Sequence, residues 1–136
     1  MMATWWQQLL LVMTGGAVGA AGRFALSGWL TRHAGSALPW GTLAANLIGA
    51  FLAGFLMVWL EARGPSALYW RALLIVGVLG GFTTFSALMI ETLLLGRSAR
   101  LLDLGGYLTL TLAGGFALVW LGARLAHAMR GPIEWP

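Results

Sequence analysis

An all-helical membrane protein of four transmembrane helices, the third broken near its middle, follows from three observations. The first is composition: 60% of the 136 residues are hydrophobic and 9% are charged, and the mean hydropathy is +0.84, too apolar for an ordinary soluble domain. The second is spacing. Runs free of Asp, Glu, Lys, Arg and His span residues 1–22, 34–60, 72–90 and 104–123, each close to the ~20 residues that a helix needs to cross a bilayer. The third is Gly80-Gly81-Phe82-Thr83-Thr84-Phe85-Ser86, inside the third run. Two adjacent glycines, each costing about 1 kcal/mol against alanine in a helix, followed by β-branched threonines and a serine, predict local unwinding there.

Four crossings leave only short loops and tails. Residues 1–136 therefore read as a single transmembrane domain, with helices near 4–30, 40–60, 70–95 and 104–126 and no space for a soluble catalytic domain. No embedded His, Cys or pair of acids forms a catalytic constellation, so an enzyme is not expected. The chain has no Cys, which removes disulfides and thiol chemistry. All of its 8 Lys and Arg residues are arginines, scattered singly at the ends of the runs. That suits anchoring at the membrane interface and not a nucleic-acid patch. Met1 to Leu11 lack the positive region of a secretory signal, so the first helix is expected to stay in the membrane.

The first helix carries Gly15-Gly16-Ala17-Val18-Gly19-Ala20-Ala21-Gly22-Arg23, a run of small residues ending in a charge. Gly15-x-x-x-Gly19 is a close-packing motif, though a weak signal on its own. Arg23 either snorkels to the headgroups or lines a vestibule that attracts anions. A turn around Gly35, Ser36 and Pro39 leads to the second helix, where Asn46, Gly49 and Ala53 form a face of one polar and two small residues. Such a face is expected where helices meet or a pore is lined. Trp40, Trp59 and Trp70 fall near helix ends, as an interfacial aromatic belt would.

The third helix begins near Trp70, breaks over Gly80–Ser86 and resumes through Glu91. Non-helical backbone at membrane depth survives only where protein buries it or a polar cavity meets it, because lipid offers no hydrogen bonds. The break therefore implies a site: freed carbonyls suit a small hard cation, and the new half-helix N-terminus suits an anion. The plain alternative is that Gly77-x-x-x-Gly81 is a packing contact and the threonines bond back to their own helix. Glu91 lies at or just inside the interface. In the fourth helix Tyr107, Thr111 and Gly115 recur every four residues, which puts a stripe of hydroxyls on one side.

Arginines divide almost evenly between the two membrane faces. Arg63, Arg71, Arg124 and Arg130 collect on one, and Arg32, Arg97 and Arg100 with Arg23 on the other. The positive-inside rule then gives little instruction, which permits insertion both ways and pairing of opposed copies as an antiparallel, dual-topology dimer.

Gly15-Gly16-x-x-Gly19-Ala20-x-x-Arg23, Trp40-Gly41-Thr42-Leu43-x-x-Asn46-x-x-Gly49 and Gly80-Gly81-Phe82-Thr83-Thr84-Phe85-Ser86 with Glu91 resemble the bacterial CrcB/Fluc fluoride channels, across all four helices. The resemblance implies an antiparallel homodimer in the bacterial inner (cytoplasmic) membrane, with two pores that release fluoride passively and relieve its toxicity. It also implies one structural, non-transported sodium ion at the dimer centre, held by the backbone carbonyls of Gly80 and Thr83 from each copy. The implied anion pathway runs along Arg23, Asn46, Phe85, Ser86, Glu91, Tyr107 and Thr111. Two positions depart from the family's usual pattern: Leu88 stands where a second pore phenyl ring is common, and Gly115 where a further hydroxyl is. The rival reading is a proton-coupled exporter like the small multidrug resistance family, which needs a carboxylate in the first helix. Here that helix has none, and Glu91 sits late in the third.

Overall fold

The computed structural model describes residues 5–130. Among the described residues four spans are long and apolar enough to cross a membrane: Trp5–Ala34, Trp40–Glu61, Gly64–Arg97 and Leu101–Arg130. The first, second and fourth are continuous helices, α1, α2 and α6. The third is assembled from pieces. A 3-10 turn (Gly64–Ser66) leads into α3 (Ala67–Trp70), a π-helical run (Arg71–Leu79), α4 (Gly80–Phe82) and α5 (Phe85–Arg97). Helix ends differ from the sequence expectation most at the first, third and fourth spans, the third ending at Arg97 and the fourth running Leu101–Arg130 where 95 and 104–126 are expected. α1 continues past residue 30 to Ala34, and the third span starts at Gly64, where Pro65 sits in the first turn, a position that needs no N–H. The expected helix start at residue 4 and most of the Arg130–Pro136 tail lie outside the described residues.

Close approach of small residues sets the packing. α1 lies against the π-helical run and α4, and α2 lies along α6. A Cβ added to Gly15 would come within 3.0 Å of the Gly77 Cα, and one on Gly81 within 3.0 Å of the Ala20 nitrogen. Both glycine motifs thus belong to one backbone-to-backbone crossing, which any larger residue would wedge apart. At one end of the bundle Leu43, Leu88, Leu95 and Tyr107 form a buried cluster joining α2, α5 and α6. At the other end Arg130 donates to the Val58 carbonyl and lies 3.8 Å from Glu61, tying α6 to the end of α2. There Arg124 covers the Trp120 ring at 4.7 Å and Arg63 the Trp59 ring at 6.0 Å, a pairing suited to the headgroup layer.

The break falls inside the expected Gly80–Ser86 stretch but is narrower, and it sits on the threonines instead of the glycines. Gly80 is helical (φ −61°, ψ −36°), and Phe85 and Ser86 already belong to α5. Only Thr83 (φ −87°, ψ 155°) and Thr84 (φ −152°, ψ 123°) are extended. Gly81 remains helical, its absent side chain serving the contact with α1. The threonines, whose β-branching favours extended backbone, carry the break. Ahead of it the helix widens: the Gly80 N–H reaches back to the Ile75 carbonyl as well as to Gly77, the i→i−5 pattern of a π-helix.

Candidate functional site

Two extended residues inside a membrane-spanning helix leave several backbone groups without their helical partners, and each must be met by something other than water. Asn46 of α2 meets the largest share. Its Oδ1 accepts from the Thr84 N–H at 2.8 Å, and its Nδ2 donates to the Thr84 carbonyl at 3.1 Å. The side-chain amide therefore pairs with Thr84 as a neighbouring β-strand would. Gly49, one turn along α2, makes room for the Thr83 side chain, whose Cγ2 a Cβ there would overlap. On the α5 side the Thr84 hydroxyl caps the new helix by accepting from the Ala87 N–H at 3.3 Å, and Ser86 Oγ lies 3.2 Å from it. On the α4 side Thr83 Oγ1 donates to the Leu79 carbonyl at 2.8 Å.

Arg23 has a definite place in this arrangement. Its Nε donates to the Gly81 carbonyl at 3.2 Å, one of the carbonyls that the break frees. A guanidinium at a helix C-terminus is favoured both as a donor and by the helix dipole.

The break frees the Gly80 and Thr83 carbonyls as well. A continuing helix would bring the Thr84 N–H to the Gly80 carbonyl, but that N–H goes to Asn46. It would likewise bring the Ala87 N–H to the Thr83 carbonyl, but that N–H goes to the Thr84 hydroxyl. The two carbonyls that the family resemblance implies for a cation are therefore both released from their helical donors.

Beside the break lies an open groove of about 440 Å³, lined by residues that include Asn46, Gly80, Thr83, Phe85, Leu88 and Thr111. It thus collects Asn46, Phe85 and Thr111 of the expected anion pathway. Asn46 Nδ2 carries two hydrogens, and Thr84 takes one. Phe85, the first residue of α5, is 71% exposed, so its ring is available to the groove or to another surface. Thr111 is buried and donates to the carbonyl of Tyr107 on its own helix at 2.8 Å. Gly115 also lines the groove, leaving Thr111 as the α6 hydroxyl along it.

Ser86, Arg23, Glu91 and Tyr107 are not part of that lining. Glu91 and Tyr107 form a second constellation one turn further along α5 and α6. The Glu91 carboxylate receives two hydroxyls, Thr42 on Oε1 and Tyr107 on Oε2, each at 2.6 Å. Those distances are typical of an O–H held by an anionic oxygen. Leu88, Glu91 and Leu95 share one face of α5, and both leucines are buried, so apolar walls flank the carboxylate. Thr42 is absent from the sequence-derived candidates. Its signal is its position four residues before Asn46, on the same face of α2.

A membrane-buried clamp across a broken helix, beside a carboxylate caged by hydroxyls, narrows the choice of family, and comparison with known proteins decides it. Residues 10–123 match the family model described as CrcB-like protein, Camphor Resistance (CrcB). The chain belongs to the CrcB family. It is 58% identical over 120 residues to a Xanthomonas axonopodis pv. citri (strain 306) protein named fluoride-specific ion channel FluC, covering 88% of this chain and 90% of that one. A Xylella fastidiosa (strain M23) protein of the same name is 55% identical over 121 residues, 89% and 91% of the two chains. Another from Opitutus terrae is 41% identical over 115 residues, 83% and 87%. All three motifs of the sequence fall inside the stretch that matches the CrcB family model.

Proposed function

We propose that this CrcB-family chain is a fluoride-selective channel that lets the ion leave the cell passively across the bacterial cytoplasmic membrane, limiting its toxicity. The observation that carries this reading is the pair of neutral hydroxyls, Thr42 and Tyr107, that converge on one small, hard anionic group at 2.6 Å. Donors that grip a carboxylate oxygen at that distance suit fluoride, which is also small, hard and strongly hydrated. The names of the relatives support the same substrate.

To enter the membrane, fluoride must exchange its water for other donors. Along the groove these are the second Asn46 N–H and the Thr111 hydroxyl, once it turns from the Tyr107 carbonyl to which it donates, with the positive edge of the Phe85 ring adding a weaker attraction. Glu91, Thr42 and Tyr107 follow, where the two hydroxyls can turn from the carboxylate to the ion. Among the described residues lining the groove none is cationic, so nothing there holds the anion too tightly to leave. Arg23 and Ser86 act on the frame of the break and, in this reading, contribute to the anion's surroundings through it. A proton-coupled exporter would need an acid on α1, and residues 5–34 contain none.

The Gly80 and Thr83 carbonyls fit a hard monovalent cation such as sodium: neutral oxygens, released from their helical donors, that can replace part of an ion's hydration shell. One chain offers two such oxygens, too few to enclose an ion. Two antiparallel copies would offer four, and the even spread of arginines is compatible with dual topology. Sodium there would be a structural charge joining the two copies.

Proteoliposomes test this reading. Fluoride-loaded vesicles should empty when an ionophore shunts the membrane potential, without any proton gradient, and chloride-loaded ones should stay full. Replacing sodium by choline during purification and assay should lower both the flux and the melting temperature, since sodium stabilises only the form that binds it. Equal chloride release would contradict the fluoride reading. Sodium-independent flux and stability would contradict the cation site alone.

A further inference from the structure

Along α5 the groove ends at Leu88, and a second cavity begins at Glu91. This cleft, about 250 Å³, lies between the α1–α2 loop and the end of α5, with Glu91, Ser36, Ser98 and Arg100 among its lining residues. One lining residue is thus Glu91, whose carboxylate receives the Thr42 and Tyr107 hydroxyls. An anion entering from water on this side would be opposed by that negative charge. Arg100 is the one cationic residue among those lining the cleft.

Its guanidinium is fixed from two directions. Nε donates to Asp103 Oδ2 at 2.7 Å, and Nη1 donates to the Ala37 carbonyl at 2.5 Å, so one side chain joins the loop wall to the start of α6. A guanidinium has five N–H donors, and these two bonds use two of them. The Arg100 side chain remains 39% exposed, so water and small ions reach it.

We propose that this cleft is the second mouth of the anion passage and that Arg100 binds the ion there before it reaches the Thr42 and Tyr107 hydroxyls. The inference rests on the channel reading above. Arg100 offsets the field of Glu91 at the entrance, while Asp103 both orients the guanidinium and tempers its charge. A fully bare arginine would hold fluoride longer; a neutral side chain would leave the carboxylate unopposed.

The charge account and a merely mechanical clamp make opposite predictions for the two partners. Fluoride flux is measured against fluoride concentration at low ionic strength in reconstituted wild-type protein, R100Q, R100K and D103N. R100Q should raise the half-saturating concentration by roughly threefold to tenfold, with the maximal rate little changed, and added salt should shrink the difference. R100K should restore the wild-type value to within about twofold, as charge is what matters. D103N, which leaves the arginine unneutralised, should lower the half-saturating concentration. If R100Q and D103N both raise it, or R100K is as impaired as R100Q, or all curves coincide, the assignment of Arg100 is overturned. Should R100Q fail to fold, the direction of the D103N shift decides alone. A wild-type protein that passes no fluoride would overturn the channel reading itself, an outcome distinct from any of these.

Discussion

Asn46→Leu is expected to reduce fluoride flux at least about a hundredfold and to lower the thermal stability of the protein. The leucine has the same branching at Cγ and the same number of side-chain heavy atoms, so the groove stays filled, but it offers nothing to the Thr84 N–H and carbonyl that Asn46 now pairs. Each unsatisfied backbone group away from water costs about 1–3 kcal/mol, or ~2–6 kcal/mol for the two. The extended pair Thr83-Thr84 would then close back toward helix, where the Thr84 N–H regains the Gly80 carbonyl. Asn46→Asp should be nearly as harmful by a different route. The carboxylate still accepts from the Thr84 N–H, but it faces the Thr84 carbonyl as a second acceptor and sets a negative charge beside the anion's path. Efflux rates and detergent melting curves measured side by side would check both. A leucine variant that conducts within about twofold of wild type would show that Asn46 neither holds the break nor serves the ion.

Tyr107→Phe is expected to slow fluoride efflux by roughly tenfold to a hundredfold. The ring keeps its place in the buried cluster with Leu43, Leu88 and Leu95, while Glu91 loses one of its two hydroxyl donors. Hydrogen bonds to charged groups contribute about 1.5–3 kcal/mol each, and about 1.4 kcal/mol is a factor of ten in rate. Thr42→Val removes the other donor and should act similarly. Because both hydroxyls serve one carboxylate, the double variant should depart from the sum of the singles. Wild-type flux in Tyr107→Phe would remove the caged carboxylate from the pathway.

Charge spacing made the four spans legible, since each charge-free run is about a bilayer long and the ends carry arginine. The broken third helix was legible as well, but not its exact place. Local propensity marks Gly80 and Gly81 as the weak point, yet their neighbours in space decide otherwise: the α1 backbone needs Gly81 small and helical, so the unwinding moves to Thr83 and Thr84. What stabilises the extended pair is a partner 38 residues away, which no local pattern encodes. The π-helical run Arg71–Leu79 likewise has no mark in the sequence. Asn46, Phe85 and Thr111 could be nominated from their spacing and from the family resemblance, and they do meet in one groove. Thr42 is not legible in the same way, since a single threonine at the opening of an apolar helix points to no particular partner. Its hydroxyl crosses to α5, a contact that only the packing of α2 against α5 and α6 creates.

Reversal potential in a planar bilayer tests the central claim most directly. With a tenfold fluoride gradient, equal chloride on both sides and no pH difference, a passive fluoride-selective pore should reverse near the fluoride equilibrium value, about 59 mV for a monovalent ion. Imposing a pH gradient should leave that potential where it is. A reversal near zero, or one that follows the proton gradient, would contradict the account.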